Sequence, residues 1–315
     1  MVELEDAGNG ARREVAIGKA AVGGGRAVII AGPCAVEPGY VAQALELATA
    51  GVDALRACVY KPRTHPDSFQ GLGSEAVPLL VEARRLTGLP LVSEVLSAED
   101  AEAIGEHVDA FQVGARNMQN VRLLEALGEI GRPVILKRGL SATIDEWVAA
   151  SEYVRRRGNH DVVLCERGIR TFETRTRNTL DLSSVVVVRE LTDLPVIVDP
   201  SHAAGNREWV PALARAALAA GADGLLVEAH PAPSLAWSDA AQAIGVEALC
   251  DLVSDARLQR RGNLCPPEAT DAAEAQRLLG LVDAELERLL NARQRLTTLV
   301  SREAPSPLLG DVLGG

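Results

Sequence analysis

Eight short apolar runs, each followed by a longer amphipathic stretch, constrain the fold of this chain more than any other feature. The runs are Ala27–Gly32, Ala54–Val59, Leu89–Val95, Ala110–Gly114, Pro133–Arg138, Asp161–Glu166, Pro195–Asp199 and Asp223–Glu228. Between them the periodicity predicts helices such as Ser74–Thr87, Ala98–His107, Ile144–Arg157 and Trp209–Ala220. Strands alternating with helices in this way build βαβ units and a parallel sheet. Eight such units fit a closed (β/α)8 TIM barrel better than an open doubly wound sheet, which usually has five or six parallel strands. The expected layout is an N-terminal extension over 1–25, the barrel over 26–257 and a C-terminal helical extension over 258–315.

The last segment has a different pattern. After a loop containing Cys265-Pro266-Pro267, the stretch Asp271–Glu303 reads as one long helix with Leu279, Val282, Leu286, Leu289, Leu296 and Val300 near a/d spacing. Such a stripe has to be covered, either across the barrel or at a subunit interface, so a homo-oligomer is expected. Arg293 occupies the heptad position between Leu289 and Leu296, where an apolar residue would be expected.

Charge narrows the function classes. A net charge of -11 from 32 Lys+Arg and 43 Asp+Glu excludes nucleic acid or an anionic membrane as the main partner, because both need a basic footprint. Small anions then have to bind in a local pocket. The five cysteines, Cys34, Cys58, Cys165, Cys250 and Cys265, contain no C-x-x-C pair, which points to neither a disulfide framework nor a zinc knuckle and fits a reducing cytoplasm. The first residues lack the layout of a signal peptide, and no apolar run reaches the ~18 residues of a membrane span.

In a barrel of this kind the active site lies at the C-terminal ends of the strands. Seven of the eight strand exits carry charged or nucleophilic residues. Any one of them reads as a solvated surface group; seven together do not. One group is cationic: Arg56, Lys61, Arg63, Arg116, Lys137, Arg138, Arg167 and Arg170. Convergent guanidinium and ammonium groups bind phosphate and carboxylate, Arg as a fork and Lys as a compact charge. Arg138 and Arg170 read equally well as partners of neighbouring acids. The second group is Cys34, His202, Glu228 and Asp239, from the exits of strands one, seven and eight, which adjoin in a closed barrel. A thiolate, an imidazole and two carboxylates suit one divalent transition ion such as Mn, Fe, Co or Zn. Taken alone, Cys34 reads as a small buried apolar residue and His202 as a hydrogen-bonded loop histidine. His230 is near enough in sequence to compete as a ligand.

The segments IIAGPCAVE, YKPRTHPDSFQGLG, FQVGARNMQN, VILKRG, CERGIRTFE, IVDPSHAAG and VEAHPAP, in order over about Arg26 to Arg257, closely resemble 3-deoxy-D-arabino-heptulosonate 7-phosphate (DAHP) synthases of the type I-beta kind. The resemblance implies a metal-dependent, aldol-type condensation of phosphoenolpyruvate (PEP) with erythrose 4-phosphate, the first step of the shikimate pathway. It places the metal ligands on Cys34, His202, Glu228 and Asp239, and PEP on Arg56, Lys61, Ala115, Arg116, Lys137 and Arg167. The sugar phosphate falls on Lys61, Pro62, Arg63 and Thr64, with Asp239 shared between that site and the metal. Lys137, Lys61, Cys34 and His202 make the expected catalytic set, with Lys137 as proton donor or orienter. The related 3-deoxy-octulosonate 8-phosphate synthases carry an Asn-Arg-Ser type run where this chain has Lys-Pro-Arg-Thr, which favours the four-carbon sugar. Ala57-Cys58 and His65-Pro66-Asp67 depart from the family's usual Gly-Gly and Ser-Pro-Tyr beside the sugar site. A secondary-metabolism paralogue that takes another aldose phosphate is therefore an alternative.

The stretch LLGLVDAELERLLNARQRLTTLV is similar to the first helix of the all-helical chorismate mutases, with Arg293 matching a substrate-binding Arg. One helix of a three-helix fold implies no mutase activity from this chain alone. It leaves a second alternative, a regulatory or scaffold barrel that binds a separate chorismate mutase through this helix.

Overall fold

The structure is a computed structural model and describes residues 12–63 and 65–258, together with twelve positions between 272 and 294. It forms two compact units, Met1–Leu264 and Cys265–Gly315.

Eight parallel strands close the barrel of the first unit: β3 (Val28–Gly32), β4 (Ala54–Arg56), β5 (Leu91–Glu94), β6 (Ala110–Val113), β7 (Val134–Lys137), β8 (Val162–Glu166), β9 (Val196–Val198) and β10 (Gly224–Glu228). Each pairs with the next in sequence, and β10 returns to β3 through Gly224↔Val28 to Glu228↔Gly32. All eight expected runs are strands, each trimmed by a residue or more at an end. The helices on the outside are α1 (Tyr40–Thr49), α2 (Val77–Thr87), α3 (Ala98–Ile104), α4 (Val121–Ile130), α5 (Ile144–Arg155), α6 (Ser183–Leu191), α8 (Val210–Ala219) and α9 (Val246–Leu258), with a short α7 (Pro200–Ala204) after β9. Helix starts follow local chemistry. Thr143 and Glu146 form a reciprocal capping box at α5, and Ser97 caps α3 through Asp100 N.

Strand side chains alternate between two environments. Ile29, Leu55, Leu91, Phe111, Leu136 and Leu225 pack outward beneath the helices. Val28, Ile30, Ala54, Val92, Ala110, Ile135, Val163, Ile197 and Leu226 point into the barrel. A hairpin of β1 (Val15–Ile17) and β2 (Ala20–Val22), within the N-terminal extension expected over 1–25, adds Val15, Ile17, Ala20 and Val22 to this inner cluster. Three-residue strands are too short for a period to show. The hairpin's apolar face plugs the N-terminal end of the barrel, opposite the polar strand exits.

In the second unit, the described residues within the expected 271–303 helix, from 272 to 294, are helical. Leu279, Val282, Leu286 and Leu290 are exposed there. Leu289, Leu296, Val300 and the Cys265-Pro266-Pro267 loop lie outside the described residues. No helix among the described residues is long and apolar enough to cross a membrane.

Candidate active site

The inward row that fills the barrel with valine and isoleucine becomes polar at its upper end. Two residues beyond Ala54, Val92, Ile135, Ile197 and Leu226 stand Arg56, Glu94, Lys137, Asp199 and Glu228, all buried. Glu94 and Lys137 of this layer line a cavity of about 440 Å³ walled by the strand-exit loops, with Lys61, Arg63, Arg116, Arg167, Arg170 and Arg177 also among its lining.

At one side of this layer Cys34, His202, Glu228 and Asp239 converge, with one donor atom of each within 4.8 Å of all the others. His202 Nε2 lies 3.6 Å from Cys34 Sγ, 3.8 Å from Glu228 Oε2 and 3.9 Å from Asp239 Oδ2. These spacings suit donors arranged around one ion with bonds of ~2.0–2.3 Å. The donor chemistry fits a divalent transition ion, and the buried Oε1 of Glu228 has no hydrogen-bond partner.

Local sequence explains how His202 is presented. Asp199 caps α7 by accepting a bond from His202 N at 2.9 Å, and Pro200 supplies the first helical turn. The i, i+3 spacing brings His202 Nδ1 within 2.8 Å of the same carboxylate, which turns Nε2 toward the other three donors. Asp199 also holds Lys137 Nζ at 2.5 Å.

Electrostatics reinforce the arrangement. Burial pushes the Cys34 thiol up to about 12 against the pull of Arg56, and raises Glu228 to about 7. Burial also holds His202 well below the usual imidazole range, leaving the neutral ring that can ligate. For Lys61 burial works against the charge, yet Cys34, Glu228 and Asp239 outweigh it and its pKa is raised. Asp239 is partly buried, which raises its pKa, but Lys61, with Arg177, holds it below the carboxylate range.

The model of the DAHP synthetase I family matches residues 7–259. The chain belongs to that family. Phospho-2-dehydro-3-deoxyheptonate aldolase of Thermotoga maritima is 46% identical over 241 residues, 76% of this chain and 71% of its own length. A crystal structure of that DAHP synthase superposes with a TM-score of 0.74 over 78% of this chain and 72% of the other. A truncated form of the T. maritima enzyme gives a TM-score of 0.72 at 42% identity, covering 78% of this chain and 90% of its own. A more distant relative, 2-dehydro-3-deoxyphosphooctonate aldolase of Acidithiobacillus ferrooxidans, is 32% identical over 252 residues, 71% of this chain and 86% of its own.

The residues expected from the DAHP synthase resemblance take up distinct places. Ala115, Arg116, Lys137 and Arg167 line the cavity, as do Lys61, Pro62 and Arg63, while Thr64 lies outside the described residues. Arg116 reaches across to Pro62 O at 3.1 Å. Arg56 is buried behind the four-donor cluster, 3.0 Å from Cys34 Sγ and 3.8 Å from Glu228 Oε2. Lys61 Nζ contacts Cys34 Sγ and lies 2.6 Å from Asp239 Oδ2. Two residues from the wider survey of strand exits belong elsewhere. Arg138 is committed to Glu166 and Asp181 at 3.0 and 2.8 Å, and His230 bonds Glu37 at 2.9 Å rather than joining the cluster.

The sequence reading assigned no role to Asp199, Glu94, Arg177 or Gln242. Asp199 carried a signal in its D-x-x-H spacing, and Glu94 another in its inward parity with Val92. Arg177 and Gln242 lie in loops, where no period marks them.

Proposed function

We propose that this chain condenses PEP with erythrose 4-phosphate and water to give DAHP and inorganic phosphate, using the four-donor cluster as its metal centre. The observation that carries this reading is one cavity, at the C-terminal ends of the strands, where Cys34, His202 and Asp239 of the four-donor cluster meet a wall of cations. Cys34, His202, Glu228 and Asp239 would hold a divalent ion, one of Mn, Fe, Co or Zn. Such an ion supplies Lewis-acid polarisation of an aldehyde oxygen.

The protein's own groups do the rest. Arg116, Lys137 and Arg167 hold the phosphate and carboxylate of PEP beside Ala115, with Arg56 below them. Lys61, Pro62, Arg63 and Thr64 take the sugar phosphate. Buried Nη1 atoms of Arg56 and Arg63 without hydrogen-bond partners are donors available for such anions. Holding both substrates in one desolvated pocket sets C3 of PEP against the aldehyde carbon. A C–C bond forms there, water adds at C2, and the C2–O bond to phosphate breaks. The cationic wall stabilises the charge on the departing phosphate. Lys137, fixed by Asp199, is placed to give a proton to the new alkoxide or to orient the carboxylate.

Cytoplasmic location follows from this biosynthetic role and the reducing-compartment cysteine pattern. Self-association, or a mutase partner, through the exposed Leu279, Val282, Leu286 and Leu290 belongs to the same proposal. Comparing molar mass before and after removal of residues 271–315 tests it. For the reaction, phosphate release from PEP is measured with Mn and either erythrose 4-phosphate or arabinose 5-phosphate. Turnover with the four-carbon sugar is expected, and turnover with the five-carbon sugar alone would overturn the assignment.

A further inference from the structure

Arg177 belongs to the long connection between β8 and α6 and takes no part in the substrate sites assigned above. Its backbone is fixed against the helix that carries His202: Arg177 N bonds Ala204 O at 3.3 Å, and a Cβ on the C-cap residue Gly205, at φ 69°, would lie 2.6 Å from Arg177 Cβ. From this anchor Arg177 Nη1 reaches Asp239 Oδ1 at 3.3 Å and Gln242 Oε1 at 2.8 Å. Gln242 is 2% exposed and passes the contact on, its Nε2 donating to Glu228 Oε2 at 2.8 Å. One guanidinium thus touches the loop after β10 twice and reaches two of the four donors, one directly and one through an amide.

The direction of the chain of bonds is forced. A guanidinium can only donate, so the amide oxygen of Gln242 has to face Arg177 and the amide nitrogen has to face Glu228. Glu228 Oε2 therefore accepts from the amide, which fixes the direction that its carboxylate faces. Asp239 needs a hold of its own, being the one non-glycine residue with positive φ, 50°, among the described residues. With Arg177 on Oδ1, its other oxygen, Oδ2, faces His202 Nε2.

We propose that Arg177 is a positioning residue that aims Asp239 directly and Glu228 through Gln242 at the metal. The inference rests on the metal reading given above. Groups that orient metal ligands typically contribute about 10–100-fold in affinity. Both of its bonds leave from a single nitrogen, so a lysine ammonium can replace much of what it does, whereas an apolar side chain cannot.

The test is titration of the full-length, metal-stripped protein with Co(II) alone, followed by the cobalt–thiolate absorption of Cys34, with thermal melts as the check on folding. Arg177→Met is expected to bind Co(II) roughly 10–100-fold more weakly. Arg177→Lys is expected to recover most of that loss. Gln242→Leu is expected to weaken binding as well, and the double variant Arg177→Met/Gln242→Leu by less than the product of the two separate losses, because the two residues act in series. Arg177→Met and Gln242→Leu binding within twofold of the parent, with unchanged absorption, would overturn the inference and leave the metal reading intact. A parent protein that takes up no Co(II) would remove the metal reading itself.

Discussion

Replacing Asp199 with asparagine changes the shape of the barrel floor very little and removes one charge. That carboxylate is fully buried, 2.5 Å from Lys137 Nζ and 2.8 Å from His202 Nδ1. Its burial would raise its pKa, yet the His202, Lys137 and Arg56 around it hold it well below the ordinary range. At an effective dielectric of ~20, an ion pair at this distance attracts with about 7 kcal/mol before desolvation is subtracted. Breaking one side of a buried pair costs a net of about 3–5 kcal/mol, because the surviving ammonium stays buried. For a domain of this size that is a fall in melting temperature of roughly 6–20 °C. The second consequence is separate: an amide cannot fix the imidazole tautomer as the carboxylate does, so divalent-metal affinity should fall roughly 10–100-fold. Melting curves of metal-free Asp199→Asn measure the first effect and Co(II) titration the second. A variant within about 1 kcal/mol of the parent in stability, and equal to it in Co(II) affinity, would refute both steps.

Three further expectations follow from the same geometry. Metal affinity should fall with falling pH, because Cys34, at about 12, and Glu228, at about 7, both have to lose protons to ligate. Above pH 7 the thiol alone gives roughly tenfold per unit, and below it the added carboxyl steepens the loss; a flat Co(II) affinity between pH 6 and 8 would contradict this. Gly114→Ala would place a Cβ 2.2 Å from Glu94 Oε1 and force that buried carboxylate off Gln112, which it now holds at 2.6 Å. The expected loss is about 1.5–3 kcal/mol in chemical denaturation. Ile17→Ala, in the plug at the base of the barrel, should cost about 2–5 kcal/mol, read the same way, although the residue is far in sequence from every strand it supports.

The features that sequence displayed best were those with a period. Alternating apolar runs exposed all eight barrel strands, and continuing their inward parity by one step leads to Arg56, Lys137 and Glu228. Cys34 and His202 were found because strand exits one, seven and eight must adjoin in a closed barrel. What escaped was set by contacts without a period. The hairpin of β1 and β2 is two three-residue strands, and their burial under the barrel depends on the ring of strands above them. Asp199 was visible as a residue, but its pairing with Lys137 joins β7 to the exit of β9. Arg138 reads from sequence equally well as an anion ligand or as the partner of a neighbouring acid, and the fold decides by bringing Glu166 and Asp181 to it. Arg177 and Gln242 depend on the path of two loops, which sequence reasoning cannot trace.

A single metal centre is central to the proposed condensation. Metal-stripped protein given PEP and erythrose 4-phosphate, and titrated with Mn while DAHP formation is followed, tests this most directly. Product formation should be absent without metal, rise in proportion to added ion and level off at one equivalent per chain, and His202→Ala should show no such rise. Full turnover in excess chelator, or a His202→Ala protein that titrates like the parent, would contradict it.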